Sequence, residues 1–369
     1  MEKNIFIHVG PPKSGTSAVQ KWFSENMKML RGKGVYYPPH MVDQNGVSSG
    51  NVRSIYDIGN ENQIKLNLER LGSLLVDFTN SNCHTLFLSS EFFFRGMLDL
   101  KANIPDAKFI AYLRNPMEIK ESSYNQSVKR HFQQRILNAG RSKRLPYMDR
   151  FVNYINQYGS DDLNLRLYGP RYFENGNIVS DILHQLGVNL NIDLPLVNTS
   201  YQFEALEFKR WFNQFELEQY QIIVDRSLQA YNLGCSDYSL ISNEKYRDDS
   251  RYYAELIKAY AVDLNTKDLA PLIEDMQDAS PKPYFKQELT YKAFSSVCHY
   301  LQASLKVDYY LLTRAVGKVE TTQNDAFRNS FINSCESKYK FLFWISLVRS
   351  KARTGFGMLK RKVKQFSNR

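Results

Sequence analysis

Through the first half of the chain, short continuous apolar runs alternate with stretches in which apolar positions recur every three or four residues. The runs predict strands at 4–9, 85–90, 108–113 and 163–168, with a shorter one at 34–38. The periodic stretches predict helices at 15–31, 61–80, 117–137, 147–157 and 171–186. Strands apolar on both faces, each followed by an amphipathic helix, imply a parallel sheet covered on both sides. The expected fold class is α/β, a three-layer sandwich with a central parallel sheet. Punctuation agrees: Pro116 stops a strand, and Gly187 follows the last apolar position of a helix. A polar Gly/Ser/Asn-rich loop at 43–60 is placed beside an acceptor site. From about 200 to 315 the pattern turns helical, clearest over Ala205–Leu233 and Asp248–Leu264, and Ala279–Pro283 interrupts it. The expected division is an α/β core at 1–195, a helical region at 196–337 completing the domain and its acceptor site, and a tail at 338–369.

The first strand leads into Gly10-Pro11-Pro12-Lys13-Ser14-Gly15-Thr16-Ser17, with a helix opening at its end. Strand, tight loop and helix N-terminus form an anion cradle: loop N–H groups point inward, the helix dipole favours negative charge, and hydroxyls donate further bonds. Pro12, Lys13, Ser14, Gly15, Thr16 and Ser17 are therefore the candidate phosphate-binding residues. Lys13 adds a point charge on a flexible stem. The kinase-type loop GxxxxGK[ST] places its lysine directly after the second glycine, whereas Lys13 stands two residues before Gly15.

A second site of this kind follows the strand Lys108–Leu113. Arg114 sits at its carboxyl end, Pro116 opens the next helix, and Ser122 and Ser123 lie two turns along. A guanidinium with a helix hydroxyl can pinch a second phosphate. Thr85–Ser90 is another apolar strand, and it finishes in Glu91, a carboxylate placed either to act as a base or to cap the turn after it.

The segment Pro12-Lys13-Ser14-Gly15-Thr16, together with Arg114 and Ser122 eight residues later, resembles the donor-binding motifs of sulfotransferases that use 3′-phosphoadenosine 5′-phosphosulfate (PAPS). The resemblance covers roughly residues 4–190. It implies a P-loop-like phosphosulfate loop in which residues 13–17 hold the 5′-phosphate and Lys13 stabilises the departing bridging oxygen. It also implies that Arg114 and Ser122 hold the 3′-phosphate, with Ser123 the alternative if the register slips. In the glycan-acting branch, including bacterial-like members, a glutamate after the corresponding strand serves as catalytic base, and Glu91 matches it. The implied acceptor is a carbohydrate hydroxyl or amine, on a surface polysaccharide or a lipid-linked sugar precursor. The cytosolic small-molecule branch uses a histidine base and a tryptophan five residues after the lysine. Here Ala18 stands at that position, and no histidine ends the strand, although His84 precedes it and His8 lies within the first strand. The adenine contacts stay unassigned. Two rival readings are a phosphate-loop kinase and a non-catalytic, membrane-associated nucleotide-binding adaptor.

Charge sharpens the tail. Ten Lys/Arg and no Asp/Glu lie between Lys338 and Arg369, which accounts for the whole formal charge of +10. Phe341, Ile345, Val348, Ala352, Phe356, Leu359, Val363 and Phe366 form one apolar stripe. A basic amphipathic helix of this kind reads as binding an anionic membrane surface, with packing on the body or a partner protein as alternatives. No nucleic-acid module accompanies the charge, so nucleic acid is not an expected partner. Lys129, Arg130, His131, Arg135, Arg141, Lys143 and Arg144 read equally as a contact for an anionic sugar polymer or as a solvated helix face. The four cysteines show no metal-ligand spacing, and no metal is expected. With no apolar run of the ~20 residues that a membrane-spanning helix needs, and no signal-like segment ahead of the first strand, the expected location is the cytoplasm, peripheral at the inner face of the membrane.

Overall fold

The computed structural model describes residues 2–11, 13–40, 48–59, 63–190, 192, 200–264, 266, 268–320 and 325–345. Its strands are β1 (Asn4–Val9), β2 (Val35–Tyr36), β3 (Tyr56–Ile58), β4 (Ile64–Leu66), β5 (Thr85–Ser90), β6 (Ala107–Leu113) and β7 (Leu163–Leu167). Between and after them run α1 (Thr16–Glu25), α2 (Met27–Gly32), α3 (Val52–Ile55), α4 (Leu68–Asn80), α5 (Met97–Asn103), α6 (Pro116–Arg130), α7 (Pro146–Tyr158) and α8 (Ile178–Gln185). Five strands form one parallel sheet in the order β2-β5-β1-β6-β7. From β1 the chain moves out to β2, returns to β5, then crosses β1 to reach β6 and β7. That reversal sets the carboxyl ends of β5, β1 and β6 side by side, where open α/β sheets bind ligands.

Helices cover both faces. Val35, Phe87, Ile110 and Tyr112 pack on Val19 and Phe23 of α1 and on Ile178, Val179, Ile182 and Leu183 of α8. On the other face Phe109 meets Tyr154 of α7 with ring centroids 5.4 Å apart, and Tyr36 meets Phe78 of α4 at 6.2 Å. The expected three-layer α/β architecture is what the chain adopts. A buried carboxylate ties one face together. Asp181 of α8 accepts from the Tyr112 hydroxyl at 2.6 Å, from Arg166 Nε and Nη2 at 2.6 Å each, and from the Glu174 N–H at 2.9 Å. Full satisfaction makes a charge tolerable at zero exposure.

Several expected boundaries shift for local reasons. The helix expected at 15–31 divides at Asn26, whose φ of −117° leaves the helical region. The helix expected at 61–80 starts only at Leu68, because Asn67 caps it by accepting the Arg70 N–H at 3.0 Å. Residues 64–66 instead form β4 and pair antiparallel with β3, which lies inside the expected loop. The helix expected at 117–137 ends at Arg130, and Phe132 then turns through a φ of +50°. The helix expected at 171–186 opens at Ile178, where Asn177 accepts the Ser180 N–H at 2.8 Å.

Later in the chain come α9 (Phe203–Phe212), α10 (Glu218–Gln229), α11 (Asn243–Asp263), α12 (Ala270–Gln277), α13 (Tyr291–Leu305), α14 (Val307–Lys318) and α15 (Ala326–Asn333). Two compact units emerge. One comprises Met1–Ser123, Asn138–Thr199 and Ser239–Tyr284; the other comprises Tyr124–Leu137, Ser200–Tyr238 and Phe285–Arg369. Within the second, Phe208, Phe212, Phe294 and Phe331 are buried around Trp211.

Candidate functional site

The loop between β1 and α1 is held in a conformation that few sequences tolerate. Lys13 and Gly15 both take left-handed backbone, φ +69° and +80°. For a lysine that conformation costs ~1–2 kcal/mol, which the fold must offset elsewhere. A Cβ on Gly15 would lie 2.9 Å from both Ile178 Cδ1 and Tyr168 Cε2, and one on Gly10 would collide with Thr16 Oγ1. The Ser14 hydroxyl closes the turn by donating to the Pro11 carbonyl at 2.7 Å. Helix α1 then begins with no side-chain cap and no acidic residue in its first turn, so nothing within that turn answers its dipole. Thr16 Oγ1 is buried and has no hydrogen-bond partner among the described residues. An uncapped helix start beside an orphaned buried hydroxyl suits a phosphate group. Ser17, by contrast, faces solvent, and Pro12 lies outside the described residues.

Arg114, immediately after β6, reaches this loop directly. Its Nη1 donates to the Lys13 carbonyl at 3.1 Å, its Nε donates to Glu118 Oε2 at 2.8 Å, and its guanidinium carbon lies 4.8 Å from the centre of the Tyr168 ring. The parallel register explains the meeting, since β6 lies beside β1 and both end at the same sheet edge. Ser122 is half-buried on α6, two turns beyond Arg114, and no hydrogen bond joins the two among the described residues.

Glu91 follows Ser90, and Ser90 is in register with Val9 at the end of β1. Its side chain reaches solvent, yet the protein packed around it raises the carboxyl above the ordinary carboxylate range. The Lys13 ammonium opposes that rise, so the two charges sense one another across the strand ends. Beside them Ser90 Oγ donates to the Ser49 carbonyl at 2.6 Å, which docks residues 48–51 against the end of β5. Residues 43–47 and 60 of the loop assigned to the acceptor lie outside the described residues.

Neither nearby histidine matches a general base. His8 is wholly buried, bonded through Nδ1 to Ser89 Oγ at 2.9 Å, and burial lowers its pKa to about 3. His84 lies at the amino end of β5, the whole strand and roughly 20 Å from Glu91.

No protein-family model matches the chain. An uncharacterized protein of Archaeoglobus fulgidus is 28% identical over 149 residues, covering 40% of this chain and 38% of that protein. The chain thus spans well under half the length of the curated relative it matches. Among solved structures, a sulfotransferase from Alicyclobacillus acidocaldarius aligns with 16% identity over 63% of this chain and 98% of its own, at a TM-score of 0.32. Retinol dehydratase in complex with retinol and PAP aligns with 14% identity over 82% of each chain, at a TM-score of 0.19. Superpositions this loose do not transfer residue positions.

Three groups around Arg114 go beyond the expected site residues. Glu118 follows it by four positions on α6, a helical ion-pair spacing that the sequence does display. Tyr168, the last position of the strand expected at 163–168, abuts Gly15 and underlies the guanidinium. Tyr246 of α11 is close enough for Glu118 and Glu121 to raise its hydroxyl pKa, beyond the larger effect of burial, while Arg114 opposes the rise. No local motif marks Tyr246, since 132 positions separate it from Arg114. Of the basic cluster, Lys129 is buried over the Tyr201 ring at 4.5 Å and so leaves the solvated face. Arg141 stays exposed but is tied to Asp249 at 2.6 Å.

Proposed function

We propose that the chain transfers a sulfonate group from PAPS to a carbohydrate hydroxyl or amine. The observation that carries this reading is the meeting of Arg114 with Lys13, beside Glu91, at one sheet edge. The N–H groups of residues 13–17 and the Thr16 hydroxyl bind the 5′-phosphate. Arg114, with Ser122 on the following helix, binds the 3′-phosphate. Glu91 takes the acceptor proton as the acceptor oxygen or nitrogen bonds to sulfur. The S–O bond to the phosphate oxygen breaks, and Lys13 neutralises the charge that develops on that oxygen. The products are the sulfated carbohydrate and 3′-phosphoadenosine 5′-phosphate. A carboxylate base and Ala18 in the place of a tryptophan favour a sugar acceptor, on a polysaccharide or a lipid-linked precursor, over a steroid or phenol.

The test pairs calorimetry with turnover. 3′-Phosphoadenosine 5′-phosphate is expected to bind at least ~10-fold more tightly than ATP, since a charged two-point grip on the 3′-phosphate is worth over ~1.4 kcal/mol. Transfer of labelled sulfonate from PAPS to a polysaccharide panel is expected to vanish in Lys13→Ala. Tighter binding of ATP, with phosphate transfer, would establish the kinase reading instead.

A further inference from the structure

Past α15 the chain forms one more helical stretch, residues 337–345, within the second compact unit. Tyr339 in this stretch and Cys335 just before it are buried, at 9% and 5% exposure, and the Phe343 ring meets Tyr310 at 5.3 Å. These contacts seat one side. Other positions turn outward: Phe341 is 61% exposed, Leu342 46% and Trp344 61%, with the Phe341 and Trp344 rings stacked 6.5 Å apart. A solitary exposed apolar side chain is ordinary on a soluble surface. Three within four positions, two of them aromatic, form a patch that needs a partner.

The charge beside the patch names the partner's chemistry. Lys338 and Lys340 are exposed on the same stretch, Lys338 being paired with Glu336. Eight further Lys/Arg and no Asp/Glu follow to residue 369, while the apolar stripe continues at every third or fourth position. Residues 346–369 lie outside the described ones, and their contribution is read from sequence. We propose that residues 338–345 dock on the surface of an anionic lipid bilayer, with the basic charge that follows in sequence adding to the attraction. Phe341, Leu342 and Trp344 enter the boundary between headgroups and acyl chains, and the basic side chains meet lipid phosphates. Tryptophan suits that depth because its ring is apolar while its N–H still reaches polar groups. A polyanion without a lipid phase would leave the three apolar side chains in water. The binding lies on the surface: among the described residues no helix is long and apolar enough to cross a membrane.

The experiment uses the full chain and vesicles of phosphatidylcholine, with and without about one-third phosphatidylglycerol. Cosedimentation is expected with the anionic vesicles alone, and it should weaken as salt rises. Replacing both Phe341→Ser and Trp344→Ser is expected to lower the partition coefficient ~10-fold or more, and both sites are exposed, so folding is spared. Emission of the native protein is expected to shift to the blue on binding, and Trp344→Phe to remove most of that shift. Equal binding of native and doubly substituted protein would overturn the proposal, as would indifference to phosphatidylglycerol. Sedimentation showing a dimer that the double substitution dissolves would seat a second copy on this face and overturn it equally. None of these readouts depends on turnover, so the sulfonate-transfer reading stands or falls separately.

Discussion

Arg114 Nη1 and the carbonyl oxygen of Lys13 are joined by a 3.1 Å hydrogen bond that spans 101 residues of chain. The bond stabilises the left-handed turn at Lys13 from outside the loop. It also sets a guanidinium beside the uncapped start of α1. Glu118 holds the same guanidinium at 2.8 Å, so an incoming phosphate must compete with a carboxylate.

Glu118→Gln is therefore expected to tighten 3′-phosphoadenosine 5′-phosphate binding several-fold. Arg114→Lys, which loses the planar fork, is expected to weaken it ~10-fold or more. Calorimetry reads both, and an unchanged affinity in Arg114→Lys would remove this residue from the donor site.

The base role proposed for Glu91 needs the ionised carboxylate, so the acid limb of the rate profile is expected above the ordinary carboxylate range. Glu91→Gln should retain donor binding and lose ~10²-fold or more in rate. The linkage sign is that of an acid whose folded pKa is raised. Native stability declines as pH climbs from the unfolded carboxylate range through the folded value, so the glutamine variant is expected to be no less stable at neutral pH. Normal turnover in Glu91→Gln would place the base elsewhere.

Gly10→Ala drives a methyl into Thr16 Oγ1. Donor affinity is expected to drop ~10-fold or more while the thermal midpoint moves little, because the strain falls on the loop rather than on the sheet. A large loss of midpoint with intact affinity would contradict that assignment.

His8 is neutral in the folded protein down to about pH 3, whereas an unfolded histidine titrates near 6.5. Between those values the unfolded chain binds the extra proton, so stability falls as pH drops, at up to ~1.4 kcal/mol per unit. Denaturant titrations of His8→Gln across this window are expected to show a shallower decline than native protein. Parallel curves would mean that His8 is protonated when folded.

Asp181→Ala strips partners from Tyr112, Arg166 and the Glu174 N–H at once. The expected cost is ~3–5 kcal/mol in urea unfolding. A cost under ~1 kcal/mol would show that Arg166 finds water without penalty.

Much of the first unit is legible because its signals are local. Apolar runs ending in Gly10, Glu91 and Arg114 declare strands with chemistry at their carboxyl ends, and parallel pairing turns those ends to one side of the sheet, while strand order decides which of them are neighbours. Helix limits are less legible. They turn on single residues such as Asn67 and Asn177, whose side chains cap only when the chain approaches at a suitable angle. Nothing in the spacing shows that 64–66 pair with 56–58, since a three-residue strand is too short for a period of two to be told from a helical one.

Read along the chain, neighbouring residues were enough for the α/β alternation, the tight loop between strand and helix with its lysine two places before Gly15, and the block of positive charge from Lys338 to Arg369. Side-chain period, backbone freedom at glycine and the count of ionisable groups set these features, and all three are local properties. Folding in three dimensions was needed for Arg114 to grip the Lys13 carbonyl, for Tyr168 to underlie it, and for residues 239–284 to bring Tyr246 into the same unit. Such contacts depend on strand order and on where distant segments return, and no local pattern of side chains encodes that.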